Sequence, residues 1–339
     1  MRRIIFAFFI VLFSFNSVAA EQNTSFVQRK DVQKFIDQMV KKHHFNRQKL
    51  TATLSKVTLQ PKIIQSMEQP YEKKNWDVYR DLFLTSNRVE SGVKFWKENS
   101  ETLQQAEKKY GVPANIIVAI IGIETLYGKN QGNYKVIDAL STLAFNYPKR
   151  SEFFTKELEE YLILCKEHGV NPHIYNGSYA GAMGKPQFMP SSYRAYADDF
   201  KNNPKKDLMN DNQAVIASVA NYFHKHGWNP KQGIAQPATV EGKAYKNLKT
   251  NSKNPDYLVS QLKKAGVKPV TAAVNMPKKA GLIELDTAKG AEYWLAYPNF
   301  YVITRYNHSP QYALAVYLLS QQLKNQWAMA YEQQPFAYV

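Results

Sequence analysis

Cysteine is nearly absent from this chain of 339 residues, since Cys165 is the only one. The protein can form no internal disulfide, which sets it apart from small secreted domains held together by several such bonds. Cys165 lies in EFFTKELEEYLILCKEH, whose apolar spacing predicts an amphipathic helix. We therefore expect a buried structural thiol rather than a nucleophile.

Several catalytic motifs are missing as well. Ser178 is preceded directly by glycine, so it does not lie in a G-x-S-x-G elbow, and no His or Asp partner is spaced for it. His224 and His226 point to different faces of a predicted helix, and neither H-E-x-x-H nor paired C-x-x-C motifs occur. No phosphate-binding loop is present. These absences argue against serine hydrolases, zinc enzymes and nucleotide-binding proteins.

Acidic residues are in the minority, since 28 Asp and Glu stand against 44 Lys and Arg, for a net charge of +16. The basic residues are spread along the chain rather than gathered into one arm, so we do not expect nucleic acid as a partner. A broad positive field favours approach to an anionic polymer or membrane surface, although general solubility explains the same charge.

The N-terminus has the features of a secretory signal peptide. Two arginines precede the apolar run Ile4 to Phe15, and small residues follow up to Ala20, which predicts a signal over residues 1–20 that is cleaved after Ala20. An uncleaved anchor is the alternative, but the run is short for spanning a bilayer. We expect an exported, periplasmic protein without a cysteine to carry a lipid anchor.

Helical periodicity dominates from about residue 27 to 228 and again near the end of the chain, while short segments such as QPATVEG and GLIELDT predict a small β-containing part. We therefore predict a mainly α (α+β) fold. The predicted division is a signal peptide 1–20, an N-terminal helical domain 21–108 joined by the C-terminal helix 309–339, a helical core 109–229, a small β-containing subdomain 230–298, and a return to the core over 299–308.

Glu124 is a lone acid at the end of the apolar stretch VPANIIVAIIGIETLYG. The run Ile116 to Ile123 predicts a buried helix, and Glu124 shares a face with Ile120, so its carboxyl is expected to lie against hydrocarbon. Burial raises the pKa of such a carboxyl and keeps a proton available for donation. The alternative is a carboxylate in the last helical turn that points to water, with Gly128 ending the helix.

Two other segments carry polar groups beside aromatic rings. The stretch Asn176 to Tyr193 contains glycines, which let a ligand approach the backbone, together with Ser178 and Gln187, which can bond sugar hydroxyls or acetamido groups. The segment YNHS, from Tyr306, adds a ring that can stack on a sugar face. An ordinary structured loop and core packing are the respective alternatives.

Taken together, these segments resemble the lytic murein transglycosylases of the B type. The matching motifs follow one another in order over most of the mature chain: VAIIGIETLYG, IDALSTLAFNYPKRSEFF, GSYAGAMGKPQFMPSSY, SVANYFHKHGW and NFYVITRYNHS. The resemblance implies a lysozyme-like core over 109–229 and an enzyme that cuts peptidoglycan glycan strands between N-acetylmuramic acid and N-acetylglucosamine. We expect a monomer that needs no cofactor and whose further partners are cell-wall synthesis proteins.

In that family the glutamate of the motif matching GIETLYG is the catalytic acid, so the resemblance implies that Glu124 is the single acid and base. Cleavage of the β-1,4 bond then consumes no water and leaves a 1,6-anhydromuramyl end. Lys149 stands where an arginine is expected, which keeps the charge but loses a planar two-pronged contact. The resemblance also implies a set of substrate-binding residues: Tyr79, Lys149, Arg150, Ser178, Gln187, Phe188, Tyr222, Tyr306, Asn307 and Tyr312.

The family also has a cation-binding loop similar to an EF-hand, and the matching segment here is DFKNNPKKDLMND, from Asp199 to Asp211. Lys201 and Lys205 stand where oxygen ligands would be wanted, and Pro204 lies near the position of a tight glycine turn. Hard cations need several oxygen donors, so we predict no metal site.

Two other functions stay open at this point. Ordinary glycoside hydrolysis uses two carboxylates, so a muramidase of the lysozyme type could use a second acid such as Asp198 or Asp199. A noncatalytic peptidoglycan-binding scaffold protein of the wall machinery is the alternative from a different class.

Overall fold

The computed structural model describes residues 26–68, 74–271 and 277–332, and the predicted signal peptide lies outside these ranges. Short 3-10 turns occur at Pro148–Arg150 and Ala244–Asn247, and a π-helical turn, Ala328–Glu332, ends the described part. In chain order the α-helices are α1 Lys30–His43, α2 Arg47–Leu54, α3 Pro61–Glu68, α4 Trp76–Phe83, α5 Ser86–Glu98, α6 Ser100–Tyr110, α7 Ala114–Thr125, α8 Val136–Asn146, α9 Ser151–His168, α10 Pro190–Tyr196, α11 Asn212–Lys225, α12 Val259–Lys264, α13 Pro298–Tyr306 and α14 Pro310–Trp327.

Helix α7 lies at the centre of the helical part. Each residue from Ile116 to Ile123 is buried, as the apolar run predicts. Helices α5, α6, α11 and α14 pack around it. Burying a single isoleucine side chain contributes about 1.5–3 kcal/mol before the cost of ordering the chain. The apolar run therefore fixes α7 as the rigid element on which Glu124 is mounted.

The ends of several helices follow simple capping rules. The carboxylate of Asp211 accepts a hydrogen bond from the Gln213 N–H at the start of α11, and the Ser309 hydroxyl accepts one from the Tyr312 N–H at the start of α14. Helix α9 ends at Gly169, which adopts the left-handed conformation. These caps fix where α11 and α14 begin and where α9 ends.

The strands form two antiparallel sheets. In chain order they are β1 Tyr134–Lys135, β2 Asn176–Gly177, β3 Ala235–Val240, β4 Tyr257–Leu258, β5 Val267–Pro269, β6 Lys279–Thr287 and β7 Gly290–Ala296. Strands β1 and β2 pair with each other, and the other five have the spatial order β4-β6-β7-β3-β5.

The larger sheet is buried on both faces because successive apolar residues along its strands point alternately to one face and the other. Along β6, Ile283 and Leu285 join the main core of the helical part. Their neighbour Leu282 points to the opposite face and joins a smaller core with Leu262 and Val267. The side-chain period of two in a strand explains how one sheet can contribute to both cores.

The mainly α fold with a small sheet is confirmed; of the predicted strand segments, GLIELDT lies within β6, and QPATVEG lies in β3 up to Val240. Cys165 is buried in α9, and burial raises the pKa of its thiol to about 12. The thiol therefore stays protonated at neutral pH, which fits a structural role rather than that of a nucleophile. Within the ranges that the structure describes, no helix is long and apolar enough to cross a membrane.

Candidate active site

Glu124 is the penultimate residue of α7 and is half-buried. The helix ends at Thr125, three residues before Gly128, because Leu126 and Tyr127 both adopt left-handed backbone angles, with φ of 49° and 59°. Two successive non-glycine residues in this region are unusual and must be held by their surroundings. The carboxyl therefore emerges at a strained chain reversal, where Glu124 is half-buried rather than fully enclosed by hydrocarbon.

Tyr127 holds that reversal in place. Its hydroxyl donates a hydrogen bond of 2.9 Å to the Arg88 carbonyl on α5. Its ring lies so close to α7 that a Cβ atom added at Gly122 would stand 2.5 Å from the Tyr127 hydroxyl oxygen. The absence of a side chain at Gly122 thus lets Tyr127 lock the end of α7 against α5.

A hydrogen-bond partner of the Glu124 carboxylate is Tyr312, on the first turn of α14. The Tyr312 hydroxyl donates a hydrogen bond of 2.5 Å to Glu124 Oε1. Tyr312 is 3% exposed, and both its burial and the negative charge of Glu124 raise its pKa well above the ordinary value. The tyrosine therefore stays protonated at neutral pH and always presents a donor to the carboxylate.

Tyr306, the last residue of α13, lies beside this pair. Its ring is nearly parallel to that of Tyr312, at an angle of 11° and a centroid distance of 6.5 Å. Its hydroxyl donates a hydrogen bond of 2.6 Å to the Pro186 carbonyl. Burial first, and then the charge of Glu124, raise the pKa of Tyr306 well above its usual range. Both tyrosines therefore lie near the same acid.

Phe188 and Tyr222 support Tyr306 from beneath. The three rings form a cluster with centroid distances of 4.9 to 5.8 Å. Phe188 and Tyr222 are 2% and 7% exposed, and the Tyr222 hydroxyl is engaged with the Arg305 carbonyl at 2.6 Å. These two predicted substrate contacts lie in the ring cluster, where they fix the position of Tyr306.

Gln187 and Ser178 lie on the loop segment between β2 and α10. Gln187 has a left-handed φ of 48°, and its side-chain amide donates to the Gly184 carbonyl at 2.8 Å and the Gln131 carbonyl at 3.1 Å. The Ser178 hydroxyl accepts a hydrogen bond of 3.1 Å from the Ala182 N–H and closes a tight turn. Both side chains are half-exposed; Ser178 is held within its own turn, and Gln187 is held by its own turn and by Gln131.

The glycines of this segment serve packing within the protein. A Cβ atom at Gly184 would lie 2.5 Å from the Leu208 carbonyl oxygen, and φ of Gly184 is 70°. Its lack of a side chain lets the chain after α10 approach the Gly184–Gln187 turn. The sequence suggested that this glycine lets a ligand approach the backbone. In the structure, Gly184 instead allows two segments of the protein's own backbone to approach each other.

The remaining predicted contacts differ in their relation to Glu124. Tyr79 on α4 is buried and close enough to Tyr312 to influence its pKa. Asn307 is extended in the short link between α13 and α14. Lys149 and Arg150 are exposed in a 3-10 turn, where the Lys149 ammonium pairs with Glu68 at 3.0 Å and the guanidinium of Arg150 lies over the Phe153 ring.

Sequence reasoning missed a group of residues that tie the loops around Glu124 together. The buried Thr125 hydroxyl donates to the Lys185 carbonyl at 2.9 Å and accepts from the Gly128 N–H at 2.9 Å. The side-chain amide of Gln131 donates to the Met209 carbonyl at 3.1 Å. No periodicity marks these residues, although Thr125 directly follows the candidate acid and could have been singled out for that reason.

Asp198 and Asp199, the candidates for a second acid, are engaged in other contacts. Asp198 Oδ2 accepts hydrogen bonds from the Tyr110 hydroxyl and the Lys109 ammonium. Burial opposes ionisation of Asp198, but these bonds outweigh it and hold its pKa at about 2. Asp199 is 2% exposed and accepts from the backbone of Lys201 and Asn203.

The residues of the Asp199–Asp211 loop do not fit a hard cation. The carboxylate of Asp207 accepts hydrogen bonds from the Met209 and Asn210 N–H groups, and that of Asp211 caps α11. In the described ranges no group of three or more His, Cys, Asp or Glu side chains is placed to hold a metal ion. With Lys201 and Lys205 also in the loop, its oxygen atoms organise the backbone rather than a coordination sphere.

Comparison with known proteins agrees with this geometry. The sequence profile of the family described as "Transglycosylase SLT domain" matches residues 27–321. The chain is 42% identical to membrane-bound lytic murein transglycosylase B of Escherichia coli (strain K12), over 87% of this chain and 83% of the relative.

Two solved structures extend the comparison. The Escherichia coli lytic transglycosylase Slt35, solved with bulgecin A, is 41% identical, with a TM-score of 0.82 over 89% of this chain and 95% of that chain; it was also solved with calcium. SltB3 of Pseudomonas aeruginosa, in complex with NAG-anhNAM-pentapeptide, is 27% identical, with a TM-score of 0.75 over 90% and 79%. The helical core has the lysozyme-like fold of these enzymes. The chain therefore belongs to the SLT transglycosylase family and is a lytic transglycosylase.

Proposed function

We propose that Glu124 is the single catalytic acid and base of this enzyme, acting on the β-1,4 bond between N-acetylmuramic acid and N-acetylglucosamine in peptidoglycan glycan strands. The observation that carries the proposal is the mounting of Glu124 at the end of the rigid helix α7, with the Tyr312 hydroxyl donating to it. Two further observations support it: the charge of Glu124 acts on both Tyr306 and Tyr312, and Asp198 is held by Lys109.

The reaction follows from one carboxyl acting twice. Protonated Glu124 donates its proton to the glycosidic oxygen, the bond from that oxygen to muramyl C1 breaks, and N-acetylglucosamine leaves with a free 4-hydroxyl. The Glu124 carboxylate then takes the proton of the muramyl C6 hydroxyl, whose oxygen bonds to C1. The products carry a 1,6-anhydromuramyl end, Glu124 is protonated again, and no water is consumed.

Tyr312 stabilises the carboxylate form that Glu124 adopts between the two proton transfers. Because its pKa is raised well above the ordinary value, Tyr312 remains a donor throughout. Positioned proton transfer contributes typically about 10² to 10⁴ fold, so binding and distortion of the glycan supply the rest.

The other candidate residues divide into three groups. We propose that Ser178, Gln187, Tyr306 and Asn307 contact the glycan near the cleaved bond. Phe188 and Tyr222 pack against Tyr306, and the buried Tyr79 lies near Tyr312. Lys149 and Arg150 lie on an exposed turn and offer positive charge to acidic groups on the stem peptides. The bound NAG-anhNAM-pentapeptide of SltB3 and the bulgecin A of Slt35 support a glycan strand as the ligand of this family.

We place the enzyme in the periplasm, where peptidoglycan is accessible to it. The support is the signal-like sequence over residues 1–20 and the name of the Escherichia coli relative, which is a murein enzyme. The net charge of +16 favours approach to the anionic cell wall.

Digestion of purified sacculi, with product masses measured, tests the proposal. The wild-type enzyme should release anhydromuramyl products, and Glu124→Gln should fold normally but lose at least about 10²-fold in rate, because an amide cannot cycle a proton. Glu98→Gln, the same change at an exposed site on α5, is the matched control and should stay active.

Each rival function has its own result. Products heavier by one water, with Asp198→Asn inactive, indicate a hydrolase of the lysozyme type. Binding of the wild-type protein to sacculi without release of any fragment indicates a noncatalytic scaffold. Wild-type turnover by a folded Glu124→Gln variant refutes the assignment of the acid.

A further inference from the structure

The ammonium group of Lys185 lies among oxygen atoms at the end of the Asp199–Asp211 loop. Its Nζ atom donates to the Asn210 carbonyl at 3.1 Å and to the side-chain oxygen of Asn212 at 2.5 Å. The charges of Asp207 and Asp211 also act on it, and they oppose the burial that lowers the pKa of Lys185. A positive charge of the protein itself therefore occupies this end of the loop.

The rest of Lys185 contacts two other segments of the active site. Its aliphatic chain packs over Gly128, where an added Cβ atom would stand 2.9 Å from Lys185 Cε. Its backbone N–H donates to the Leu208 carbonyl at 2.9 Å, and its carbonyl accepts from the Thr125 hydroxyl at 2.9 Å. One residue thus joins the chain after Glu124, the Gly184–Gln187 turn and the end of the loop.

Gln187 is connected through Gln131 to the end of the loop that Lys185 contacts. Its side-chain amide donates to the Gln131 carbonyl at 3.1 Å, and the Gln131 side chain donates to the Met209 carbonyl at 3.1 Å. Met209 lies in the segment that the Lys185 ammonium holds. A shift of that segment would therefore reach Gln187 through one intervening residue.

We propose that the Lys185 ammonium is an internal cation that does in this chain what a bound divalent cation would do in such a loop, and that Lys185 is a positioning residue for Gln187. The carboxylates of the loop are engaged with backbone N–H groups, and Lys201 and Lys205 add positive charge where ligands would stand. The loop and the Gly184–Gln187 turn are thus held together without a metal. The positioning role of Lys185 toward Gln187 rests on the proposed function. The prediction that the loop is stable without calcium does not rest on it.

Thermal unfolding tests the internal cation directly. The melting temperature of the wild-type protein should be the same in EDTA and in millimolar calcium. Lys185→Met, which keeps the aliphatic chain but removes the charge, should lower it by about 3–6 °C. Lys205→Met, the same change at an exposed lysine of the same loop, should leave it unchanged, and Lys185→Arg should recover at least half of the loss.

Kinetics on solubilised glycan strands test the positioning role. Lys185→Met should raise KM about 3- to 10-fold while kcat stays within about twofold, because Gln187 loosens and Glu124 does not. Lys185→Arg should restore most of the affinity. A wild-type melting temperature that rises with calcium or falls with EDTA overturns the proposal, as does a Lys185→Met variant indistinguishable from Lys205→Met. Activity in Glu124→Gln would refute the catalytic assignment while leaving the thermal result intact.

Discussion

Replacing Tyr312 by phenylalanine removes a single hydroxyl from the centre of the site and should change both the rate and its pH dependence. The ring keeps its contacts, since Tyr312 is 3% exposed and nearly parallel to Tyr306. What is lost is the 2.5 Å hydrogen bond to Glu124 Oε1. That bond favours the ionised carboxylate, so its loss favours the protonated acid.

The size of the effect follows from the charge on the acceptor. A hydrogen bond to a charged group contributes about 1.5–3 kcal/mol. The acid must be protonated to start the reaction, so the rate falls as pH rises through the pKa of Glu124. In Tyr312→Phe this alkaline fall should move to higher pH, because the carboxylate form has lost a hydrogen-bond donor. The carboxylate that forms after proton donation loses its donor, so kcat should fall roughly 10- to 100-fold.

The assay is release of anhydromuramyl products from sacculi across a pH series, with Tyr317→Phe as the control on the same helix. Tyr317 packs against Trp294 of the sheet rather than against Glu124, so its variant should keep the wild-type profile. A folded Tyr312→Phe enzyme with an unchanged alkaline limb and with kcat within about twofold of wild type would show that this hydrogen bond has no part in catalysis.

Two further substitutions probe the surroundings of the site. Gly122→Ala places a methyl group against the Tyr127 ring, so unfolding experiments should show a loss of about 1–3 kcal/mol, with kcat reduced because the end of α7 shifts. Asp198→Asn should lose about 1 kcal/mol of stability at pH 7, since Tyr110 and Lys109 lower the pKa of Asp198 from 3.8 to about 2 but solvent weakens the contribution of this partly exposed group. In the wild type that contribution is fully present above about pH 4 and is lost as the pH falls toward 2. The variant should lack this acid limb yet keep the anhydro product; hydrolysis products or inactivity in a folded variant would contradict a structural role.

Much of the fold could be predicted from local patterns. The apolar run of α7, the helix Ser151–His168 and the helix Pro310–Trp327 are where the periodicity places them. The helical stretch around Asn99 is broken into α5 and α6, which periodicity alone does not show. The domain boundaries and the roles of the individual site residues stay predictions.

The sequence by itself determined the family, the mainly α fold and the identity of the candidate acid, because these depend on residue type and short-range spacing. Only the tertiary structure decided which groups act on that acid. Tyr312 donates to Glu124 across 188 positions of the chain, and Lys185 reaches from the Gly184–Gln187 turn to Asn212. Such contacts arise where α7, α14 and the loops pack together, and no local pattern encodes them, because a hydrogen bond depends on distance in space and not on separation along the chain.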